Sequence, residues 1–465
     1  MTDSNFGVIG LGVMGRNLSL NIAEKGYPLS VYNRAVVGEE NIVSDFLLSA
    51  QELKNAKIEG FTDLKQFINS LNRPRKIILM IPAIAIDNII TLLKPLLTEG
   101  DIIIDGGNSY FGDTQNRYKK LINNKLHFFG VGISGGKFGA RNGPAIMFGG
   151  DKNVYEKIAP LFLSIAAKDC EGKSCCSYIG TDGAGHFVKM IHNGIEYAEM
   201  QLLAEIYSIL SINKSNEEIN ALLLKWNKSN LASYLLEITA NILTKKEGDG
   251  YLLDIIVDKA ENKGTGSWSA KVAFDVGTVN TMMSSAVFAR YISSLKAMRT
   301  KLSKNIDKVN VSSAIEVETL KKAYFFARII NHQQGFELMS KASNHYNWNI
   351  SLAEVARVWT NGCIIKSDLM MKCADYLKVS DQLFDNQDII ENLKINEEAT
   401  QKILSFGLAN RLWLPLFSEA HSYWVAMTTK RLSANLIQAQ RDYFGSHSYQ
   451  KIGYPENKYF NTNWH

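Results

Sequence analysis

The sequence predicts an α/β Rossmann-like N-terminal domain, a large all-α domain with a duplicated helical unit, and a C-terminal tail. Three observations carry this. An apolar run over residues 6–9 leads into Gly10-Leu11-Gly12-Val13-Met14-Gly15, and a helix-like run over 17–25 follows. Short β-branched runs then alternate with helical segments to about residue 180, the pattern of a sheet wrapped by helices. Beyond that point the periodicity is almost wholly helical to about residue 435, broken only at points such as Gly248-Asp249-Gly250 and Gly264-Thr265-Gly266. The expected domains are 1–180, 181–435 and a polar, aromatic tail over 436–465.

The opening strand, glycine turn and helix form a dinucleotide fingerprint. Gly10 allows the tight turn, Gly12 lets backbone approach a pyrophosphate, and Gly15 lets helix and strand pack closely. Leu11, Val13 and Met14 complete the turn and count among the expected cofactor contacts. The second strand, Leu29-Ser30-Val31-Tyr32, ends at Asn33-Arg34-Ala35, roughly 20 residues past the glycines, where the adenosine ribose is read. An acidic residue there would accept hydrogen bonds from the ribose of NAD and repel the 2′-phosphate of NADP. Asn33 is neutral and Arg34 offers a planar cationic fork to a phosphate. NADP is therefore expected over NAD, against the plainer reading of Arg34 as a solvated turn residue.

Further strands are expected at Ile77-Ile78-Leu79-Met80-Ile81, Ile102-Ile103-Ile104, Phe128-Phe129-Gly130-Val131 and Ala145-Ile146-Met147-Phe148. Such runs suit strands buried on both faces of a parallel sheet. Asp105-Gly106-Gly107-Asn108-Ser109 and Ser134-Gly135-Gly136 follow two of them, on the carboxyl side where ligands of open α/β sheets bind. In the helical region, residues 187–193 resemble 326–332, and Trp226 and Trp359 follow at similar separations. A duplicated helical unit is the expectation.

Composition excludes several classes. The 465 residues carry a net charge of only +5, with no basic arm for nucleic acid. The 5 cysteines form no disulfide framework and no CxxC pair, and no metal-ligand cluster is apparent. The chain enters its first strand almost at once, which leaves no room for a signal peptide. No apolar run approaches the ~18 residues of a membrane span. A soluble, cytoplasmic protein is expected.

The second strong feature is the helix around Lys189, with glycines ahead of it at 183 and 185. Lys189, His192, Asn193 and Glu196 stand at i, i+3, i+4 and i+7, within roughly a 100° arc of one face. The bland alternative is a solvated stripe with an intrahelical ion pair. As a site, the stripe supplies an acid/base pair. Lys189 must then be neutral, so burial and cationic neighbours must bring its pKa down from ~10.4 toward ~7–8. Glu196 is the complementary acid.

These residues carry a resemblance that spans the chain. GLGVMG, IIIDGGNS, the SGG loop, DGAGHFVKMIHNGIEY, KGTG and NLIQAQRDYFGSH resemble, in order, the motifs of the 6-phosphogluconate dehydrogenase (decarboxylating) family. The resemblance implies a homodimer whose tail threads into the partner, and a reaction without a metal. In it, hydride passes from C3 of 6-phosphogluconate to NADP, CO2 is lost, and ribulose 5-phosphate remains. Lys189 is the implied general base and acid, and Glu196 the acid that protonates C2. Asn108, Ser134, Gly135, Gly136, His192 and Asn193 are implied to hold the sugar acid. Tyr197, Lys263, Thr265, Arg290 and Arg441 form the implied phosphate clamp with His447 nearby, and Arg441 and His447 are implied to come from the other subunit. Ile81, Pro82, Ala83 and Asn108 join the cofactor contacts.

The chain departs from that family's usual pattern at Lys137, Phe148, Pro82, Ala35 and Thr360. Most of these lie on the cofactor side, so altered cofactor affinity or preference is expected with chemistry retained. Two alternatives stay open: a β-hydroxyacid dehydrogenase acting on a non-phosphorylated acid, and an inactive cofactor-binding homologue.

Overall fold

The computed structural model describes residues 4–53, 56–261, 264–306 and 314–464. The glycine turn sits within an eight-stranded sheet: β1 (Phe6–Ile9), β2 (Leu29–Tyr32), β3 (Ile58–Phe61), β4 (Lys76–Leu79), β5 (Ile102–Asp105), β6 (His127–Ser134), β7 (Ala145–Gly149) and β8 (Cys176–Gly180). The order is β3-β2-β1-β4-β5-β6-β7-β8. The chain lays β2 and β3 to one side of β1 and the remaining strands to the other. That reversal opens a crevice at the carboxyl ends of β1 and β4. The β-branched runs of β1, β5 and β7 are buried throughout.

Three expectations need correction. The sheet is not wholly parallel, because β7 runs antiparallel to β6 with Ser134 opposite Ala145. Only the short helix Gly136–Asn142 joins them, which is less chain than a parallel crossover takes. Strands β3 and β8 were not expected. Residues of β3 are only half-buried at the sheet edge, and β8 reads Cys-Ser-Tyr-Ile-Gly, so neither has a continuous apolar run. The first helix spans Val13–Glu24 rather than beginning near residue 17, with Gly12 as its N-cap.

Two long helices organise the rest, Ala184–Leu210 and Val317–Tyr346. Each is followed by a helix capped by a serine side chain, Ser215 before Asn216–Trp226 and Ser351 before Leu352–Val358. A third pair, Tyr234–Leu243 and Asp368–Tyr376, is capped by Ser233 and Ser367. These two serines face one another in an antiparallel bridge, flanked by Tyr234 N to Lys366 O at 3.1 Å and Asp368 N to Ala232 O at 3.0 Å. The two hydrogen bonds at this bridge are related symmetrically, as in a duplicated unit. A buried ion pair at 3.1 Å, Glu199 with Arg328, ties the two long helices together. A small hairpin, β9 (Lys246–Glu247) and β10 (Gly250–Tyr251), occupies the glycine break.

The C-terminal stretch is an arm with its own scaffold: helix Ala434–Gly445 and a hairpin of β11 (Tyr449–Gln450) and β12 (Tyr459–Phe460). Buried Asp442 holds it, accepting from Ser448 N at 3.0 Å, Thr462 N at 3.0 Å and Trp464 Nε1 at 2.8 Å. Leu436, Tyr443, Phe444 and Trp464 line an apolar groove on this arm, and each is exposed. Among the described residues, no helix is long and apolar enough to cross a membrane.

Candidate active site

The glycine turn is shaped for close approach. Gly10 has φ +99°, and a Cβ there would stand 2.6 Å from both Met80 O and Ile81 Cγ2. A Cβ on Gly15 would collide with the Gly10 carbonyl. A Cβ on Gly12 would meet nothing within 4 Å, so the middle glycine faces open space. The helix that follows carries no side-chain cap, which leaves its first N–H groups for an anion. Ile81 closes one side of the turn, and Pro82 caps the single turn Ala83–Ala85. On the other side, buried Asn33 accepts from Leu11 N at 3.1 Å, and Arg34 extends outward beside Ala35.

One crossover further along, Asp105 builds the loop that carries Asn108. Its carboxylate accepts from Gly107 N at 3.0 Å and Ser109 Oγ at 2.7 Å. Its backbone carbonyl accepts from His186 Nε2 at 3.0 Å, while His186 Nδ1 lies 2.7 Å from Thr114 Oγ1. Burial pushes the His186 pKa down, so the ring works as a neutral strut between loop and helix. Asn108, Ser109, His186, Lys189, Asn193 and Trp268 converge on one small cleft.

The Lys189 helix is pressed onto β6 and β7 by glycines. A Cβ on Gly132 would lie 2.5 Å from Lys189 Cβ, and one on Gly185 would strike the carbonyls of Gly130 and Met147. The polar stripe is consequently buried rather than solvated. Lys189 and Asn193 are 7% and 8% exposed, and His192 is fully enclosed. Lys189 Nζ lies 3.1 Å from His192 Nδ1, and His192 Nε2 lies 3.0 Å from Ser134 Oγ. Glu196 Oε2 approaches His192 Nδ1 at 3.6 Å. Burial and the neighbouring Lys189 depress the His192 pKa strongly, so the ring is neutral, with one nitrogen facing Ser134 and the other facing Lys189 and Asn193.

Burial lowers the Lys189 pKa, opposed by the charge of Glu196. Burial raises that of Glu196, opposed by Lys189 and Arg290. Both shifts run toward a neutral amine beside a protonated acid, the state that acid/base work requires. The pH dependence of kcat/KM should be bell-shaped, rising as Lys189 loses its proton and falling as Glu196 loses its own. The two limbs report the pair as a coupled unit. Glu196→Gln should remove the alkaline limb. The acid limb should stay near its wild-type position, because Glu196 is already neutral over that limb. A pH–rate profile checks both, and an unchanged alkaline limb in the variant would discard the assignment.

One turn further on, Arg290 stacks on the Tyr197 ring at 3.5 Å and donates to Glu261 O at 2.8 Å. This brings two expected clamp residues together beside Glu196. Lys263 and the side chain of Thr265 lie outside the described residues. Gly135 and Gly136 form the turn from β6 into helix Gly136–Asn142. Arg441 lies on the arm helix and donates to Gln438 Oε1 at 3.1 Å. His447 packs on Phe444 in the same arm. Within one chain these two are grouped with each other, not with Lys189. Asp105, Thr114 and His186 were missed as positioning residues, and only the spacing of Asp105 before Asn108 hinted at one.

Comparison with known proteins decides the lineage. A family model described as the NAD binding domain of 6-phosphogluconate dehydrogenase matches residues 5–180, and one described as its C-terminal domain matches 185–464. The chain belongs to the 6-phosphogluconate dehydrogenase family. A relative from Salmonella typhimurium, named 6-phosphogluconate dehydrogenase, decarboxylating, is 42% identical over the full length of both chains. One of the same name from Lactococcus lactis is 41% identical over 97% of each. The solved 6-phosphogluconate dehydrogenase of Plasmodium falciparum superposes with a TM-score of 0.93 at 36% identity, covering 99% of this chain and 100% of that one. That protein is described in its apo form, with NADP+ and with 6-phosphogluconate.

The departures from the family pattern fall in different settings. Phe148 is buried in an aromatic cluster with Phe129, Tyr155 and Phe162. Lys137 is exposed in the first turn after the glycine loop. Thr360 donates to Arg357 O at 2.7 Å.

Proposed function

We propose that this chain is an NADP-dependent oxidoreductase that oxidatively decarboxylates 6-phosphogluconate to ribulose 5-phosphate and CO2. The observation that carries the reading is the Lys189–His192–Glu196 stripe, with Lys189 and His192 buried and Glu196 partly buried, beside a glycine-lined crevice. The open space over Gly12 and the uncapped helix behind it fit a dinucleotide pyrophosphate. Residues 10–15, Asn33, Arg34, Ala35, Ile81, Pro82, Ala83 and Asn108 would hold the cofactor. When bound, it supplies the hydride acceptor.

Neutral Lys189 takes the proton of the substrate 3-hydroxyl as C3 is oxidised. The carboxylate then stands β to a carbonyl, so CO2 departs and its bonding electrons enter that carbonyl, giving an enediolate. Lys189, now protonated, stabilises the developing oxyanion. Glu196 delivers its proton to C2 and the ketose phosphate leaves. Asn108, Ser134, Gly135, Gly136, His192 and Asn193 orient the sugar acid. Tyr197, Lys263, Thr265 and Arg290 engage its phosphate through charge-assisted bonds.

In this reading residues 1–180 bind cofactor, 181–435 bind substrate and dimerise, and 436–465 reach a partner. The exposed apolar side chains of Phe274, Phe288, Met298 and Phe444 support a homodimer whose arm brings Arg441 and His447 to the neighbouring site. A cytoplasmic setting follows from the substrate class. The test is to incubate the protein with 6-phosphogluconate and NADP and to follow NADPH and CO2 together. Equal formation of both is expected. NADPH without CO2 would point to a simple β-hydroxyacid dehydrogenase, and neither product to an inactive homologue.

A further inference from the structure

The carboxylate of Glu39 occupies the ribose-reading end of the cofactor crevice. Arg34 Nε and one terminal nitrogen both donate to Glu39 at 3.3 Å, and Asn33 Nδ2 donates to it at 3.1 Å. Asn33 is in turn bonded to the glycine turn through Leu11 N. Three donors therefore fix an anion where the 2′-phosphate of NADP would seek Arg34. The segment between them reads Ala35-Val36-Val37-Gly38, which supplies no second cation and no hydroxyl. Val37 is 97% exposed, so the apolar side chains there have not been recruited into packing.

We propose that Glu39 is a cofactor-specificity determinant: it competes with the 2′-phosphate for Arg34 and narrows this chain's discrimination between NADP and NAD. The inference rests on the reading that an NADP-type dinucleotide binds at the glycine turn. A phosphate dianion reaching Arg34 must displace Glu39 or meet its repulsion. A free ribose meets no such conflict. For it, a carboxylate tethered to Asn33 is the kind of acceptor that reads ribose hydroxyls in NAD-dependent Rossmann domains. Arg34 is two-thirds exposed, so the ion pair is cheap to break. The competition tunes affinity; it does not block NADP.

The deciding variant is Glu39→Gln, which keeps an acceptor for Asn33 and removes the charge. Calorimetry should find adenosine 2′,5′-bisphosphate bound roughly two- to fivefold more tightly than by the wild type, with NAD bound no more tightly. KM for NADP should fall by a similar factor while kcat holds. In an Arg34→Ala background the gain from Glu39→Gln should shrink, because the cation being contested is gone. Equal changes for both ligands, no change for the bisphosphate, or an undiminished gain without Arg34 would each overturn the proposal. The binding measurements do not depend on turnover. A wild type without NADPH or CO2 production would sink the functional reading, and the bisphosphate comparison would still judge Glu39.

Discussion

Lys189→Met is expected to lower kcat by roughly 10²–10⁴ while leaving the fold intact. The aliphatic stem of Lys189 packs against Gly132, and Met fills a similar volume without an amine. The replaced group is buried with its pKa pushed down and its neighbour Glu196 is pushed toward the protonated acid, so replacing the amine leaves no buried charge unpaired. Thermal stability should hold or rise. Lys189→Arg makes the complementary test. Guanidinium keeps a positive charge but does not release a proton at accessible pH. If Lys189 served only as an electrostatic anchor for the substrate carboxylate, Arg would rescue much of the rate. As a base it must be deprotonated, and Arg should be as poor as Met. Steady-state kinetics on both variants, with a melting curve for each, measures this. A Lys189→Met enzyme within tenfold of wild type would remove Lys189 from the chemistry.

That prediction could be framed from spacing because a helical period is a strong signal. Lys189, His192, Asn193 and Glu196 fall on one face in any helix, and two glycines ahead of them mark close packing. Spacing did not distinguish a solvated stripe from a buried one. The deciding contacts are non-local: Gly132 and Gly185 let the helix sink onto β6 and β7, and Ser134 reaches His192 from a strand end. The glycine turn was legible for a similar reason, since strand, turn and helix are contiguous. Strands β3 and β8 were not, because an edge strand needs only half its residues inside and leaves no continuous apolar run. The reversal of β7 was hidden because direction depends on the length and path of a connection, not on strand composition. Glu39 was hidden by a different rule. Its carboxylate reaches Arg34 by a turn of five residues that no helical or strand period describes, so Arg34 read alone looked like an uncontested phosphate reader.

The largest structural prediction concerns the arm. Its described hydrogen bonds run among its own residues, centred on Asp442, and its apolar groove faces outward. An apolar face of this kind suits contact with a second chain. If it completes the partner's site, Arg441→Ala should weaken 6-phosphogluconate binding strongly, since a phosphate dianion loses a charge-assisted donor worth about 1.5–3 kcal/mol. The sharper test mixes two damaged chains. Lys189→Met and Arg441→Ala homodimers should each be nearly inactive at low substrate. In a heterodimer, one site would combine both lesions, and the other would combine an intact Lys189 with an intact Arg441. Co-refolding equal amounts of the two should therefore restore activity at about a quarter of all sites, because a two-fold dimer shares its sites reciprocally. If each arm instead served its own chain, every site would keep one lesion and mixing would restore nothing. Activity of the co-refolded sample against the sum of its parents decides between these outcomes, and size-exclusion chromatography on the same samples reports whether the dimer formed at all.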